Sequence, residues 1–192
     1  MILDGIDLEF IKTLEGGQKL KGYVPQEAGR PIGASGVTIA SGVDLGQMSK
    51  EEIKYLPISE TLKLKLRLYA DVEGSVGILL LEELPLVITK EEADELDEAI
   101  YSKIIGILGR LYNKFSKVTF QEIPSKAKTA LASISINRGP HFGAVGGAYT
   151  EVWTAAIKQD WKGMKTVLNF FPTTQKWLKK RRMREAELLN GL

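Results

Sequence analysis

The chain has 192 residues, 44% hydrophobic and 26% charged, with a net charge of +2: enough for one domain or two closely packed lobes, and unlike a disordered or fibrous protein. It holds no cysteine and one histidine, which excludes disulfides and a thiolate nucleophile and argues against a structural zinc site. The opening MILDGIDLEF lacks a basic segment followed by a long apolar run, and no apolar stretch reaches the roughly 18 residues a span needs, so neither a Sec signal nor a membrane helix is expected.

Asp7 is a good N-cap, and Leu8, Ile11 and Leu14 follow at helical spacing before the pair Gly16 and Gly17 stops the helix. This places Glu15 in the last helical turn. Unpaired carbonyls gather at a helix C-terminus, so helix stability alone prefers Lys or Arg there. An acid that must keep its proton and donate it to a departing sugar oxygen gains from such a site. The plainer reading is a solvated surface carboxylate that precedes a glycine stop.

Leu20 to Val24 and Gly36 to Ala40 each alternate apolar and polar residues and read as two short strands of a hairpin, the second bearing Thr38. Between them Pro25, Gly29, Pro31, Gly33 and Ser35 make a loop too long for a tight two-residue turn. Asp44 follows in SGVDLG, where the flanking glycines free the backbone to set its carboxylate against a ligand; alternatively Asp44 is a turn former bonded to nearby amides. An acid at a helix end, a hairpin threonine and a second acid together suggest a glycosidase.

Beyond the hairpin the chain reads as helical. SKEE at Ser49 to Glu52 and TKEE at Thr89 to Glu92 are capping boxes that open helices. TLKLKLRLYA suits a helix or a strand with one apolar face. Helical spacing continues near 90 to 115, 125 to 138, 147 to 159, 161 to 170 and 173 to 189, with breaks at Pro124, Gly139-Pro140, Gly146-Gly147 and Pro172. His141 reads as a turn residue. No G-x-S-x-G elbow or phosphate loop is present, and no cofactor is implied. Lys176, Lys179, Lys180, Arg181, Arg182 and Arg184 crowd one stretch, which reads mostly as a solvated helix face with pairs such as Arg181 and Glu185. Such a patch also attracts anionic polymers, although it lacks the interleaved aromatics of a nucleic-acid reader.

The strings LEG, GYVP and SGVTIASGVDLGQ resemble the muramidase domain of pesticin and its relatives, a toxin branch of the phage-type lysozymes. The resemblance implies a catalytic set of Glu15, Thr38 and Asp44, with Tyr23 of GYVP as a substrate contact. Phage lysozymes commonly carry their Asp before the Thr strand. Here only Glu27 offers a carboxylate there, and Asp44 is preferred over it. The family tends to show glycine where this chain has Ala40, a change expected to leave the hairpin intact. ALASISINRG resembles the helix lining the opposite wall of the cleft, which implies substrate contacts from Ser133 and Asn137. WLKKRRMREAELL resembles the LxxRRxxExxL helix, matching Leu178, Arg181, Arg182, Glu185 and Leu188, and implies an ion pair between Arg181 and the catalytic acid. In these lysozymes a helix links two lobes near TLKLKLRLYA, which selects helix for that segment.

The fold so implied is α+β and mostly helical, lysozyme-like: a single catalytic domain with a small helix and hairpin lobe over 1–60, a larger helical lobe over 61–192, and a cleft between. The implied activity is hydrolysis of the β-1,4 bond between N-acetylmuramic acid and N-acetylglucosamine, with inversion. Alternatives are a lytic transglycosylase, a hydrolase of another glycan, or a non-catalytic wall-binding module. The expected partners are peptidoglycan strands and an immunity protein or delivery machinery, not nucleic acid or membrane, and the chain is expected to act as a monomer. Without a Sec signal, it is expected to reach the periplasm through a holin-like lesion, a secretion machine or lysis. Pesticin's receptor-binding and translocation parts have no counterpart ahead of Glu15, so delivery is expected from outside this polypeptide.

Overall fold

Asp7 caps the first helix, α1 (Leu8–Leu14): its Oδ1 accepts the Phe10 amide at 2.9 Å and its carbonyl accepts the Ile11 amide at 3.3 Å. The helix ends one residue before Glu15, where Gly16 and Gly17 take φ of 75° and 88°, a left-handed conformation that glycine adopts without strain. Glu15 therefore stands just past the helix rather than in its last turn. The structure, a computed structural model, describes residues 5–192 and resolves two units: Glu15–Ile100, and a second that runs to Leu14 and resumes at Tyr101–Leu192.

The Glu15–Ile100 unit opens with β1 (Lys19–Tyr23), β2 (Gln26–Glu27), β3 (Arg30–Pro31), β4 (Thr38–Ala40) and β5 (Val43–Asp44). An antiparallel sheet has the order β1-β4-β5, and β2 pairs with β3 separately. The long loop thus contains its own small hairpin, closed by the two-residue turn Ala28-Gly29, whose φ values of 50° and 77° match the turn type that fits strand twist. Ala40 sits at φ 52° with its methyl fully buried, and the β4 to β5 connection forms around it.

Helices α2 (Lys50–Lys54), α3 (Glu60–Leu66) and α4 (Gly74–Glu83) follow, and α5 (Lys90–Phe115) begins in this unit and ends in the other. Both capping boxes form: Ser49 and Glu52 bond reciprocally, and the Thr89 amide reaches Glu92 at 2.9 Å while the Glu92 amide reaches Thr89 Oγ1 at 3.2 Å. In α3, Leu62 and Leu66 are buried whereas Leu64 is 64% exposed; a helix buries every fourth position, and a strand would have buried all three leucines. This helix lies inside the unit, and α5 is the one that passes between units. The unit also extends well beyond residue 60, because Ile53, Leu62, Leu66, Ala93 and Leu96 join Val37, Ile39 and Leu45 of the hairpin in one core.

The other unit is helical, with α1, the rest of α5, α6 (Ser125–Arg138), α7 (Gly147–Ile157), α8 (Trp161–Asn169) and α9 (Lys176–Leu188). Helix α6 buries every residue from Ala127 to Ser135, too many for an amphipathic surface helix, and is the central element of that core. Among the described residues no helix is long and apolar enough to cross a membrane.

Candidate active site

The sheet register brings three chosen residues onto one rung. Tyr23 of β1 is opposite Thr38 of β4, and Thr38 is opposite Asp44 of β5. Neighbouring strands lie roughly 5 Å apart, so these side chains form a row across three strands. Thr38 is only 3% exposed, and its hydroxyl donates to the Gly36 carbonyl at 3.1 Å. What its oxygen still offers to a water is acceptor capacity.

Asp44 occupies a strand end and also caps the 3-10 turn Leu45–Gln47. Its Oδ1 accepts the Gly36 amide at 3.1 Å and the Gly46 amide at 3.0 Å, and Oδ2 lies 3.2 Å from the Gly36 amide. The turn-former reading is therefore correct for its geometry, and it also fixes the carboxylate in place. The cradle requires glycine at both contacts: a Cβ on Gly36 would lie 2.4 Å from the Val72 carbonyl oxygen, and one on Gly46 would lie 2.6 Å from the Gly36 Cα.

Burial pushes the Asp44 carboxyl above the ordinary aspartate value, and the nearby Glu73 charge adds to the rise; amide donors from Gly36, Gly46 and Gln47 pull the other way. Burial, then the Asp44 charge, likewise raises the Tyr23 phenol, which keeps it a neutral donor. Glu73 bridges to Gly36 through the backbone and accepts Gln47 Nε2 at 2.8 Å. Glu27, the rival carboxylate, sits exposed in the separate β2–β3 pair opposite Arg30 and outside the rung.

Glu15 is half-buried in the turn between α1 and β1. A side chain not singled out in the sequence fixes the segments on either side of the rung. Asp97 of α5, 1% exposed, accepts Gln18 Nε2 at 2.7 Å, Ser41 Oγ at 2.7 Å and the Ser41 amide at 3.1 Å. It ties the chain just after Glu15 to the chain just after β4. Nothing in the sequence distinguishes it from the other acids of α5.

The residues read from α6 and α9 belong to an interior network. Ser133 is fully buried; its hydroxyl donates to Glu185 Oε1 at 2.6 Å and lies 3.2 Å from Arg181 Nη2. A sugar contact needs an accessible atom, so Ser133 is corrected from substrate contact to interior polar residue. Asn137 is half-buried, and its carbonyl oxygen accepts Arg182 Nη2. Arg181 donates to Glu185 Oε1 at 3.2 Å, to the Ser133 carbonyl at 3.0 Å and, at 3.4 Å, to the carbonyl of Leu14, the residue before Glu15. Arg182 pairs with Glu185 and lies over the rings of Tyr149 and Phe171. These two arginines are thus buried, whereas Lys176, Lys179 and Lys180 form the solvated face. His141 is exposed in a turn, as expected.

No curated protein matches the chain. A family model does: Pesticin, described as a bacterial toxin homologue of phage lysozyme, C-term, matches residues 5–162, a span that includes Glu15, the Tyr23–Thr38–Asp44 rung and α6. The match covers most of the chain, and on that ground the protein belongs to the Pesticin family of phage lysozyme homologues.

Proposed function

We propose that this protein hydrolyses the β-1,4 bond between N-acetylmuramic acid and N-acetylglucosamine with inversion at the anomeric carbon. Family membership supports a peptidoglycan hydrolase in general. The observation that carries the finer reading is the rung itself, which sets an amide-held Asp44 beside Thr38 in the unit that begins at Glu15. Glu15 donates its proton to the glycosidic oxygen as the bond to the anomeric carbon breaks. Asp44 takes a proton from the water whose oxygen forms the new bond, and its raised basicity suits that role. Thr38 Oγ1 accepts a hydrogen bond from that water and orients it. Tyr23, partly exposed at the other end of the rung, donates its phenol hydrogen to the sugar.

Inversion requires room for a water between the carboxyls, roughly 6.5 to 9.5 Å, whereas a retaining enzyme holds them about 5 Å apart. The first test is clearing of chloroform-treated Gram-negative cells, with mass spectrometry of the released muropeptides and NMR of the product anomers. Hydrolysed, inverted products are expected. Anhydro products, lighter by one water, identify a transglycosylase, and a retained β-anomer excludes the inverting route. Glu15→Gln is expected to lower clearing by at least about 100-fold with the fold retained by circular dichroism; full activity in that variant removes Glu15 from the mechanism. Action at the cell wall after holin-, lysis- or secretion-dependent release, with an immunity protein or delivery machinery as partner, is part of the same proposal.

A further inference from the structure

Helix α9 shows two different faces. One buries Arg181, Arg182, Glu185 and Ala186 against the core. The other exposes Lys176, Lys179 and Lys180, with Trp177 58% and Met183 45% exposed among them. Among the described residues these three lysines form no ion pair, and Glu187 is the one exposed acid of the helix. Large apolar side chains left in water beside these cations gain nothing for the fold, since the opposite face already anchors the helix. Just ahead of α9, Phe170 is 81% exposed, while Phe171 next to it is buried. The whole helix lies beyond residue 162, outside the matched family model.

From this charge complementarity we infer that the outer face of α9, in the unit that does not carry the Tyr23–Thr38–Asp44 rung, is a docking surface for polyanionic peptidoglycan. The inference rests on the reading that the substrate is cell-wall glycan. Lysine ammoniums at 176, 179 and 180 meet the carboxylates of the stem peptides, and the Trp177 indole offers a flat apolar face to sugar C–H groups. Such a surface raises the local concentration of enzyme on an insoluble polymer without touching the bond that breaks.

The test measures co-sedimentation of the full chain with purified, teichoic-acid-free sacculi in the cold, across a salt series, alongside turnover of short soluble glycan strands. Two variants are compared with the parent: Lys176→Gln/Lys179→Gln/Lys180→Gln, and Trp177→Ala. The parent is expected to bind sacculi with an affinity that falls steeply with salt. The triple variant is expected to bind at least tenfold more weakly with a flat salt response, and Trp177→Ala severalfold more weakly, with turnover of soluble strands unchanged in both. Unaltered binding in the triple variant overturns the inference. So does salt-sensitive binding that appears on anionic phospholipid vesicles or on RNA but not on sacculi. If the parent binds and the triple variant does not, while no form cleaves glycan, the docking surface stands and the hydrolase reading falls. Because all four positions are exposed, matching thermal melts are expected; should the triple variant melt early, Lys179→Glu/Lys180→Glu repeats the comparison.

Discussion

Asp44 does two jobs that pull against each other. Its oxygens accept backbone amides, which favours the charged form, while burial and Glu73 oppose it more strongly. The folded chain therefore holds the Asp44 proton more tightly than the unfolded chain does. Ionisation leaves stability untouched below the unfolded value, lowers it as pH rises through the window between the unfolded and folded values, and keeps that full cost above the folded value. Asp44→Asn removes the cost while its side-chain oxygen still accepts the Gly36 and Gly46 amides. The melting temperature of this variant relative to the parent is thus expected to rise between acid and neutral pH, while clearing falls by about 100-fold or more. Thermal melts over a pH series check the sign, and a difference that shrinks toward neutrality contradicts the burial argument. The residue types of the site were legible because Glu15, Thr38 and Asp44 lie in short strings with glycine neighbours. Asp97 was not, since a buried acid on a helix looks like any other acid until its partners Gln18 and Ser41 are seen beside it.

Elements with strong local signals fell where the sequence put them. Both capping boxes, the stops at Pro124 and Gly139 and the 26-residue α5 carry their own start and stop chemistry. Helix α4 had none: GSVGILLLEE has no capping side chain, and its apolar run shows no clear stripe, so only packing marks it as a helix. The β1-β4-β5 rung was partly legible, because alternation predicts strands but not that the third strand, Val43–Asp44, is two residues long. What holds this element together is the approach of Gly36 and Gly46. A methyl on Gly46 meets the Gly36 Cα and the Val72 carbonyl oxygen, both at 2.6 Å, and backbone cannot swing aside as a side chain can. Gly46→Ala is expected to cost about 2 kcal/mol or more in urea unfolding and to abolish clearing, since the shift also breaks the Asp44 cradle. Gly42→Ala is the contrast: nothing lies within 4 Å of its Cβ position, and φ of 91° leaves only backbone strain, roughly 1 to 2 kcal/mol. Comparable loss of clearing in the two variants at matched stability removes the special role of the glycine contact.

At the scale of the whole chain, each unit has its own core, and the helical one encloses charge. Glu185 is fully buried and receives donors from Ser133, Arg181 and Arg182, so one carboxylate faces two guanidiniums. Spacing alone reads most of the C-terminal charge run as a solvated face, because it cannot say which arginines of a basic helix turn inward; the family pattern is what points Arg181 inward. The aromatic partners settle it physically: the Arg182 guanidinium lies 5.7 and 5.6 Å from the rings of Tyr149 and Phe171, which meet each other edge-on and come from α7 and from the segment after α8, far off in sequence. Neutralising Glu185 takes a fully buried carboxylate away from both guanidiniums, which costs far more than losing an exposed pair. Glu185→Gln is expected to lower the unfolding free energy by about 3 kcal/mol, against under about 1 kcal/mol for Glu60→Gln, whose carboxylate, paired with Lys63, is 83% exposed. Urea titration of both variants measures the contrast. If the network serves only the core, soluble-strand turnover per folded molecule stays at the parent level in Glu185→Gln; because Arg181 also donates to the Leu14 carbonyl, the expectation is instead that turnover falls with it, and Lys176→Gln, on the outer face of the same helix, leaves turnover unchanged.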